Sequence, residues 1–159
     1  MAEVSTWAPR VTWPLAAVGL GLSGYLTYEH YSTGTQLSCP NTGVVNCLKV
    51  TTSAQSMVGP VPVALLGVLF FAGMAALCIP RAWSAGSRSL SIARVTGALG
   101  GIVTVLYLVG VEALVVHAIC LWCTAVHAVT FALFVAILTA FLAMDPAVSG
   151  GTRASARRA

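Results

Sequence analysis

Four long apolar runs, separated by shorter polar segments, dominate the pattern of this chain. A helix needs about 20 apolar residues to cross the hydrocarbon core of a bilayer. The runs meet or approach that length, so they predict transmembrane helices at residues 13–31, 61–79, 95–111 and 118–144. We therefore expect an all-α membrane protein, a four-transmembrane-helix bundle over residues 13–144 with an external loop at 32–60.

The composition agrees with this pattern. Hydrophobic residues make up 58% of the 159 residues and charged residues only 8%, whereas about a quarter of a soluble domain is charged. The first run is interpreted as a retained span, because its apolar core exceeds the roughly 7–15 residues of a signal peptide and no A-x-A-like cleavage site follows. Small residues in this run predict a face for close helix packing, formed by Gly19, Gly21, Ser23 and Gly24.

The basic residues predict the orientation. Seven of the eight Lys and Arg residues fall on one side of a four-span chain: Arg10, Arg81, Arg88, Arg94, Arg153, Arg157 and Arg158. The positive-inside rule makes that side cytoplasmic. We therefore expect a cytoplasmic segment at 1–12, a basic, disordered cytoplasmic tail at 145–159 and a loop at 32–60 on the periplasmic side. The net charge of +4 then follows from topology, and no nucleic-acid partner is expected.

Four of the five cysteines fall on the outer side in this topology. Cys39 and Cys47 lie in the loop, and Cys120 and Cys123 lie at the outer end of the last span. Disulfides persist in such an oxidising compartment. Cys78 falls at the cytoplasmic end of the second span, where we expect a small buried hydrophobe. The connection before Cys120 is so apolar that the C-x-x-C should lie at or just below the membrane surface, facing the bundle.

Several chemistries compete for these thiols. Attachment of a c-type haem needs His directly after the second cysteine, and Thr124 stands there instead. A zinc site has four thiolates available, but the seven residues between Cys39 and Cys47 exceed the usual C-x2–4-C spacing, so no metal is expected. Two structural disulfides remain an alternative, and a redox-active pair of dithiols is the favoured interpretation.

The favoured interpretation has a direct physical basis. Helical residues three apart lie about 5–6 Å from each other, so Cys120 and Cys123 are close enough for a disulfide after a small adjustment. The positive end of the helix dipole favours Cys120 as the exchanging thiolate. His127 follows Cys123 by one turn on the same face, where it can hydrogen-bond or protonate an acceptor placed over Cys123. The alternative is that His127 merely bonds a neighbouring helix.

The loop pattern predicts a short amphipathic half-helix on the membrane surface. Its apolar face repeats at helical spacing, in Cys47, Val50, Ala54 and Met57. Ser53 and Gln55 are expected to point away from that face, and Gly59-Pro60 is expected to end the segment. Cys47 would face the bundle while Cys39 stays in the freer part of the loop. One loop thiol can then meet a soluble partner and the other the buried pair.

This ordered set of motifs resembles the vitamin K epoxide reductase family, in its bacterial disulfide-forming branch. The resemblance covers residues 13–144. It rests on GLSGYLTYEHY (21–31), the pair Cys39…Cys47, Ser53 six residues later, GPVPVALLG (59–67) and CLWCTAVH (120–127).

The resemblance implies a four-helix bundle around a quinone, capped by the loop half-helix, and a relay of thiols. A partner dithiol would reduce a Cys39–Cys47 disulfide through Cys39. Cys47 would then exchange with Cys120, and Cys123 would lie next to the quinone. His127 and Ser53 match positions near the quinone in relatives, and they are the expected cofactor-binding residues.

The resemblance also implies the partners and the location. The cofactor would be a membrane quinone (menaquinone, ubiquinone or a vitamin K-type quinone), and the Arg-, Ala-, Gly- and Val-rich composition, typical of GC-rich genomes, favours menaquinone. The thiol partner would be a periplasmic, thioredoxin-fold DsbA-like protein. It is expected to be separate, because the chain ends about fifteen residues after the last span. The setting would be a bacterial inner membrane with both termini cytoplasmic.

Two other functions remain possible on the sequence. The unrelated four-helix disulfide-bond protein of proteobacteria also links thiols to quinone, but it places its two cysteine pairs in separate periplasmic loops, whereas here one pair opens a helix. A non-catalytic membrane scaffold with two structural disulfides belongs to a different functional class.

Overall fold

A computed structural model describes residues 2–32, 39 and 42–144. Within them, four long helices pack side by side as a bundle: α1 (Ala2–Tyr31), α3 (Val63–Leu77), α5 (Arg88–Val111) and α6 (Leu121–Met144). Two short helices, α2 (Cys47–Thr51) and α4 (Pro80–Ser84), lie in the connections, with a 3-10 turn at Ala54–Ser56 and a two-stranded hairpin of β1 (Met57–Val58) and β2 (Val61–Pro62). The four apolar runs thus coincide with the four long helices.

All four long helices begin at residues other than the predicted ones. The segment 1–12 was expected to precede the first helix, but α1 already begins at Ala2. The second helix begins at Val63, because the preceding Val61–Pro62 pairs with β1 in the hairpin. The tail 145–159 lies outside the described residues, so the prediction for it stays untested.

Two helical segments of the described chain are long and apolar enough to cross a membrane, Arg88–Val116 and Leu121–Met144. Helix α3 is also apolar but has only 15 residues. The long helices expose large apolar side chains, for example Leu69, Leu106 and Phe131, each at least 60% exposed. Large apolar surfaces of this kind mark contact with a membrane or another apolar partner.

Close approach of α1 and α3 depends on two glycines. A Cβ at Gly19 would overlap the ring of Phe71, and one at Gly67 would lie 2.9 Å from Ser23 Oγ. Gly19 and Ser23, one turn apart on α1, therefore form the predicted packing face. The prediction was wrong for Gly21 and Gly24, because a Cβ at either position would meet nothing within 4 Å.

Arg94 is buried rather than displayed in a cytoplasmic loop. Helix α5 begins at Arg88, which places Arg94 in its second turn with only 2% of its surface exposed. Its Nε donates to the carbonyl oxygen of Leu77 at the end of α3 (2.8 Å), and its guanidinium lies 4.1 Å from the ring centre of Trp83. This arginine joins three elements of the bundle, so it is not the free loop cation that the sequence suggested.

The predicted half-helix over 47–57 is much shorter than expected. Cys47 and Val50 are buried as predicted, but α2 ends at Thr51 and Ala54 is exposed. The hydroxyls of Thr52 and Ser53 donate to the carbonyl oxygens of Leu48 and Val50 (both 2.7 Å). Side chains that bond nearby backbone in this way compete with helix formation.

The hairpin that follows explains the role of Gly59-Pro60. These residues form its two-residue turn, and Gly59 takes a positive φ of 61° at the first central position, which glycine adopts readily. The predicted helix end is therefore a hairpin turn.

Candidate active site

Backbone pairing holds the loop against the start of α6. Val45 and Ile119 form a parallel bridge. The Ile119 N–H donates to Val44 O (2.9 Å), and the Asn46 N–H donates to Ile119 O (3.0 Å). Because Cys47 follows Asn46 and Cys120 follows Ile119, this pairing sets one loop thiol beside the first thiol of the C-x-x-C.

The start of α2 is fixed by a side-chain cap. The Asn46 Oδ1 accepts a hydrogen bond from the Lys49 N–H (2.9 Å), as expected of asparagine at a helix N-cap. Cys47, the first residue of α2, is 1% exposed. It is disulfide-bonded to the half-buried Cys39, with 6.1 Å between the two Cα atoms. This is the pairing that the family resemblance implies.

Cys120 sits just before α6 and is fully buried, whereas Cys123 is half-buried in its first turn. Both are free thiols, and the Cys123 N–H donates to Cys120 Sγ (3.3 Å). The side chain of Cys123 also donates to Cys120. These hydrogen bonds hold the pKa of Cys120 below the usual cysteine value, against burial, which raises it. Cys120 is therefore the thiol better suited to act as a thiolate.

All four predicted cysteines meet in one apolar cluster. Cys47 and Cys120 belong to its buried centre, and Cys39 and Cys123 pack against it. Cys78 lies in a different cluster with Phe71, Met74 and Leu133, buried as predicted. The loop disulfide uses two of the four thiolates that an all-cysteine zinc site would need.

The connection between α5 and α6 brings a carboxyl group to the C-x-x-C. Helix α5 widens into a π-helical turn at Glu112–Val116, and the chain reverses at His117 with a left-handed φ of 51°. Glu112 is 8% exposed, and its carboxylate accepts a hydrogen bond from the Cys120 N–H. This places a buried carboxyl group next to the cysteine pair.

A cavity of about 510 Å3 lies in the bundle below the cysteine cluster. Its walls are mostly apolar and come from all four long helices and the loop. Among the described cysteines, Cys123 alone lines it, together with Glu112 and His127. Cys123 therefore lies where the cluster and the cavity meet. Cavities of this size with few polar groups are typical binding sites for small organic molecules.

The two predicted quinone contacts both lie on this cavity but differ in what they offer. His127 is 8% exposed and lines the wall one turn after Cys123. Ser53 and Gln55 line the cavity too, although both were expected to point away from the apolar face of the loop helix. The Ser53 hydroxyl proton already goes to Val50 O (2.7 Å), so Ser53 has only its lone pairs left for a ligand.

Ser23 and Glu112 line the cavity and were not predicted as site residues. Ser23 was interpreted as a small packing residue, and it both packs against Gly67 and lines the cavity. Glu112 is the one carboxylate in the sequence between Glu29 and Asp145. Its isolation among apolar residues is the signal in the sequence that could have identified Glu112 as a site residue.

The comparison with known proteins agrees with this geometry. The family model for the vitamin K epoxide reductase family matches residues 11–138, which is most of the chain. No curated protein sequence matches it. The matched region includes the loop disulfide, the C-x-x-C and the cavity between the helices. The chain therefore belongs to the vitamin K epoxide reductase family of membrane-embedded thiol oxidoreductases.

Proposed function

We propose that this protein oxidises a thiol protein outside the cytoplasm and passes the electrons to a membrane quinone. One observation supports this most strongly: the Val45–Ile119 pairing brings the Cys39–Cys47 disulfide and the C-x-x-C into one cluster, and Cys123 connects that cluster to a cavity. Such an arrangement gives a continuous path for thiol–disulfide exchange.

Each exchange moves two electrons. The partner dithiol reduces the Cys39–Cys47 disulfide through Cys39, which leaves the partner oxidised and both loop cysteines as thiols. Cys47 then attacks a Cys120–Cys123 disulfide at Cys120, which re-forms the loop disulfide and leaves Cys120 and Cys123 reduced. The attack at Cys120 forms a Cys47–Cys120 mixed disulfide and releases Cys123. Cys39 then attacks Cys47 and releases Cys120, and the low pKa of Cys120 suits it to leave as a thiolate. Re-oxidation of the pair releases two electrons and two protons.

The cavity fits a quinone ring. Its apolar walls suit a flat hydrocarbon ring, and His127 and Ser23 bring polar groups for the two carbonyl oxygens. A bound quinone supplies an acceptor for two electrons and two protons. Cys123 faces this acceptor, and His127 holds or donates a proton at its side of the cavity. The loop residues Ser53 and Gln55 complete the lining on the loop side.

The membrane setting follows the positive-inside rule. We infer four spans, with the loop, α2 and the C-x-x-C on the periplasmic side of a bacterial inner membrane and both termini in the cytoplasm. Arg10, Arg81 and Arg88 lie at the opposite ends of the helices from the cysteine cluster. The partner is a DsbA-like thiol protein of the periplasm, and the quinone is menaquinone.

The test is turnover of purified protein in detergent, followed by reduction of menaquinone. With a DsbA-like dithiol as electron donor, Cys39→Ala and Cys123→Ala should each lose at least 100-fold in rate, because each breaks the covalent path. With dithiothreitol, Cys39→Ala should keep part of the activity, since a small dithiol reaches Cys120–Cys123 directly.

The matched control is Cys78→Ala, which removes a buried cysteine from a different cluster and should keep the wild-type rate. Equal loss in Cys39→Ala with both donors would show that the loop is not a separate shuttle. A wild-type protein that reduces no quinone with either donor would refute the proposed function.

A further inference from the structure

All but one of the serine and threonine hydroxyl groups on the cavity wall have already committed their protons. The serine and threonine side chains that line it donate to backbone carbonyl oxygens, in Thr51, Ser53, Ser56, Thr96, Thr104 and Thr130. A hydroxyl has one proton to donate, so these groups can only accept hydrogen bonds from a ligand. A quinone carbonyl oxygen needs a donor.

Ser23 is the exception among these residues. Its side chain is 1% exposed and lines the cavity, yet its Oγ has no hydrogen-bond partner within the described protein. Leaving a buried polar group without a partner destabilises the folded protein. Such a group therefore needs an explanation, and a role in ligand binding is one.

The opposite helix leaves room around this hydroxyl. A Cβ on Gly67 would lie 2.9 Å from Ser23 Oγ and 3.3 Å from Ser23 Cβ. Any side chain at position 67 would therefore crowd the hydroxyl. The glycine keeps α1 and α3 close while leaving the Oγ free to turn its proton toward the cavity.

We propose that the Ser23 hydroxyl donates a hydrogen bond to a carbonyl oxygen of the quinone and so fixes the orientation of its ring in the cavity. This rests on the proposed function, which supplies the quinone. Ser23 on α1 and His127 on α6 approach the cavity from different helices, so they can serve different oxygen atoms. Ser23 is a binding and positioning residue and exchanges no electrons.

The test uses menaquinone-4 as the probe with the purified protein in detergent micelles. Its affinity is measured by titration, and its bound carbonyl stretching bands are recorded by infrared difference spectroscopy. In the wild type, one carbonyl band should lie at a lower frequency than in free menaquinone, because a hydrogen bond weakens the C=O bond. Ser23→Ala should return that band toward the free position and weaken binding about 3- to 10-fold, the worth of one neutral hydrogen bond.

Thr27→Val is the matched control. Thr27 lies one turn further along α1, does not line the cavity and donates its proton to Ser23 O (2.8 Å). The control should keep the wild-type carbonyl bands and affinity. Where the alanine variant folds poorly, Ser23→Cys replaces it: its thiol is slightly larger than the hydroxyl and donates only weakly, so the carbonyl band should again return toward the free position.

A double variant separates hydrogen bonding from packing. Gly67→Ala alone should weaken menaquinone binding, because its Cβ crowds Ser23 Oγ. In Ser23→Ala/Gly67→Ala the 2.9 Å contact with Oγ is gone and only the 3.3 Å approach to Cβ remains. Thermal stability should therefore recover in part, while the shifted carbonyl band stays absent. Recovery of the band in the double variant would overturn the assignment.

The failures of the two proposals can be told apart. Menaquinone that binds the wild type and Ser23→Ala with equal affinity and identical bands would refute the role of Ser23 and leave the quinone function standing. A wild-type protein that binds no menaquinone would refute both.

Discussion

At the scale of single residues, the cysteines differ mainly in the groups that surround them. Cys120 receives hydrogen bonds from the Cys123 side chain and N–H, and these lower its pKa despite burial. The charge of Glu112 opposes this effect, because a negative neighbour disfavours a second negative charge. The same carboxylate accepts a hydrogen bond from the Cys120 N–H and thereby fixes the backbone there. Glu112 therefore holds the Cys120 backbone in place, while its charge raises the pKa of the Cys120 thiol.

Glu112→Gln should separate the hydrogen bond of this side chain from its charge. The amide oxygen can still accept from the Cys120 N–H, but the negative charge is gone, so the pKa of Cys120 should fall further. Thiolate absorbance at 240 nm should then appear at lower pH than in the parent protein. The background should be Cys39→Ser, Cys47→Ser and Cys78→Ala, so that only the C-x-x-C titrates.

Glu29→Gln is the control for this titration, because it removes another partly buried carboxylate from the end of α1 and should leave the curve unchanged. A curve that moves to higher pH in Glu112→Gln would contradict the Coulombic effect and show that the carboxylate favours the thiolate.

At the scale of secondary structure, the loop owes its position to few interactions. Helix α2 has five residues, far fewer than the roughly 12–15 that an isolated helix needs for marginal stability. It persists through the Asn46 cap, the buried Cys47 and Val50, the disulfide and the pairing with Ile119. A segment held in this way can open without unfolding of the bundle, as the proposed exchange with a soluble partner requires.

We expect Asn46→Ala to loosen α2 selectively. Loss of a helix cap costs about 1 kcal/mol, so amide hydrogen exchange at Lys49 and its neighbours should become roughly fivefold faster. Exchange in α6 should stay unchanged, and Cys47 should become easier to alkylate after reduction.

Asn46→Asp keeps an oxygen acceptor for the Lys49 N–H and should retain the parent exchange rates. Faster exchange throughout the bundle in Asn46→Ala would mean that α2 is not a separate opening unit.

At the scale of the whole molecule, the exterior of the bundle carries many large apolar side chains. The helices expose leucine, valine and phenylalanine side chains along their length, while Thr12, Ser23 and Arg94 are buried. Charged groups lie mainly at the ends, with Arg81 and Arg88 at one end and Lys49 at the other. This distribution fits a protein whose solvent is lipid along the helices and water at both ends.

The proposed topology predicts the accessibility of two exposed positions. In intact cells, a membrane-impermeant maleimide should label Lys49→Cys, on the proposed periplasmic side, and should leave Ser89→Cys unlabelled. Both thiols should react after the cells are broken, which controls for expression and exposure. Labelling of Ser89→Cys in intact cells would reverse the orientation and place the cysteine cluster on the cytoplasmic side.

The sequence by itself determined the helices and the sets of thiols. Apolar runs of this length are satisfied only as helices that bury their own backbone polar groups, so the four long helices were predictable. The spacing of Cys120 and Cys123 is local, and the order of the motifs was sufficient to indicate the family. Hydrophobic spacing predicted too long a helix in the loop. Hydroxyl groups that bond the backbone end α2 early, and the spacing of apolar residues contains no information about those bonds.

The tertiary structure decided which residues meet. The pairing of Val45 with Ile119 joins segments more than 70 residues apart, and no periodicity predicts such a contact. The partners of hydroxyl groups are likewise set by packing: Ser53 was predicted to contact a quinone, yet its proton is committed, whereas Ser23, interpreted as a packing residue, keeps its proton free beside the cavity. Packing likewise decides the role of Arg94, which was expected in a loop but is buried and hydrogen-bonded to the end of α3. Composition and spacing specify what each residue can do, and its three-dimensional neighbours decide which of those capacities remain available.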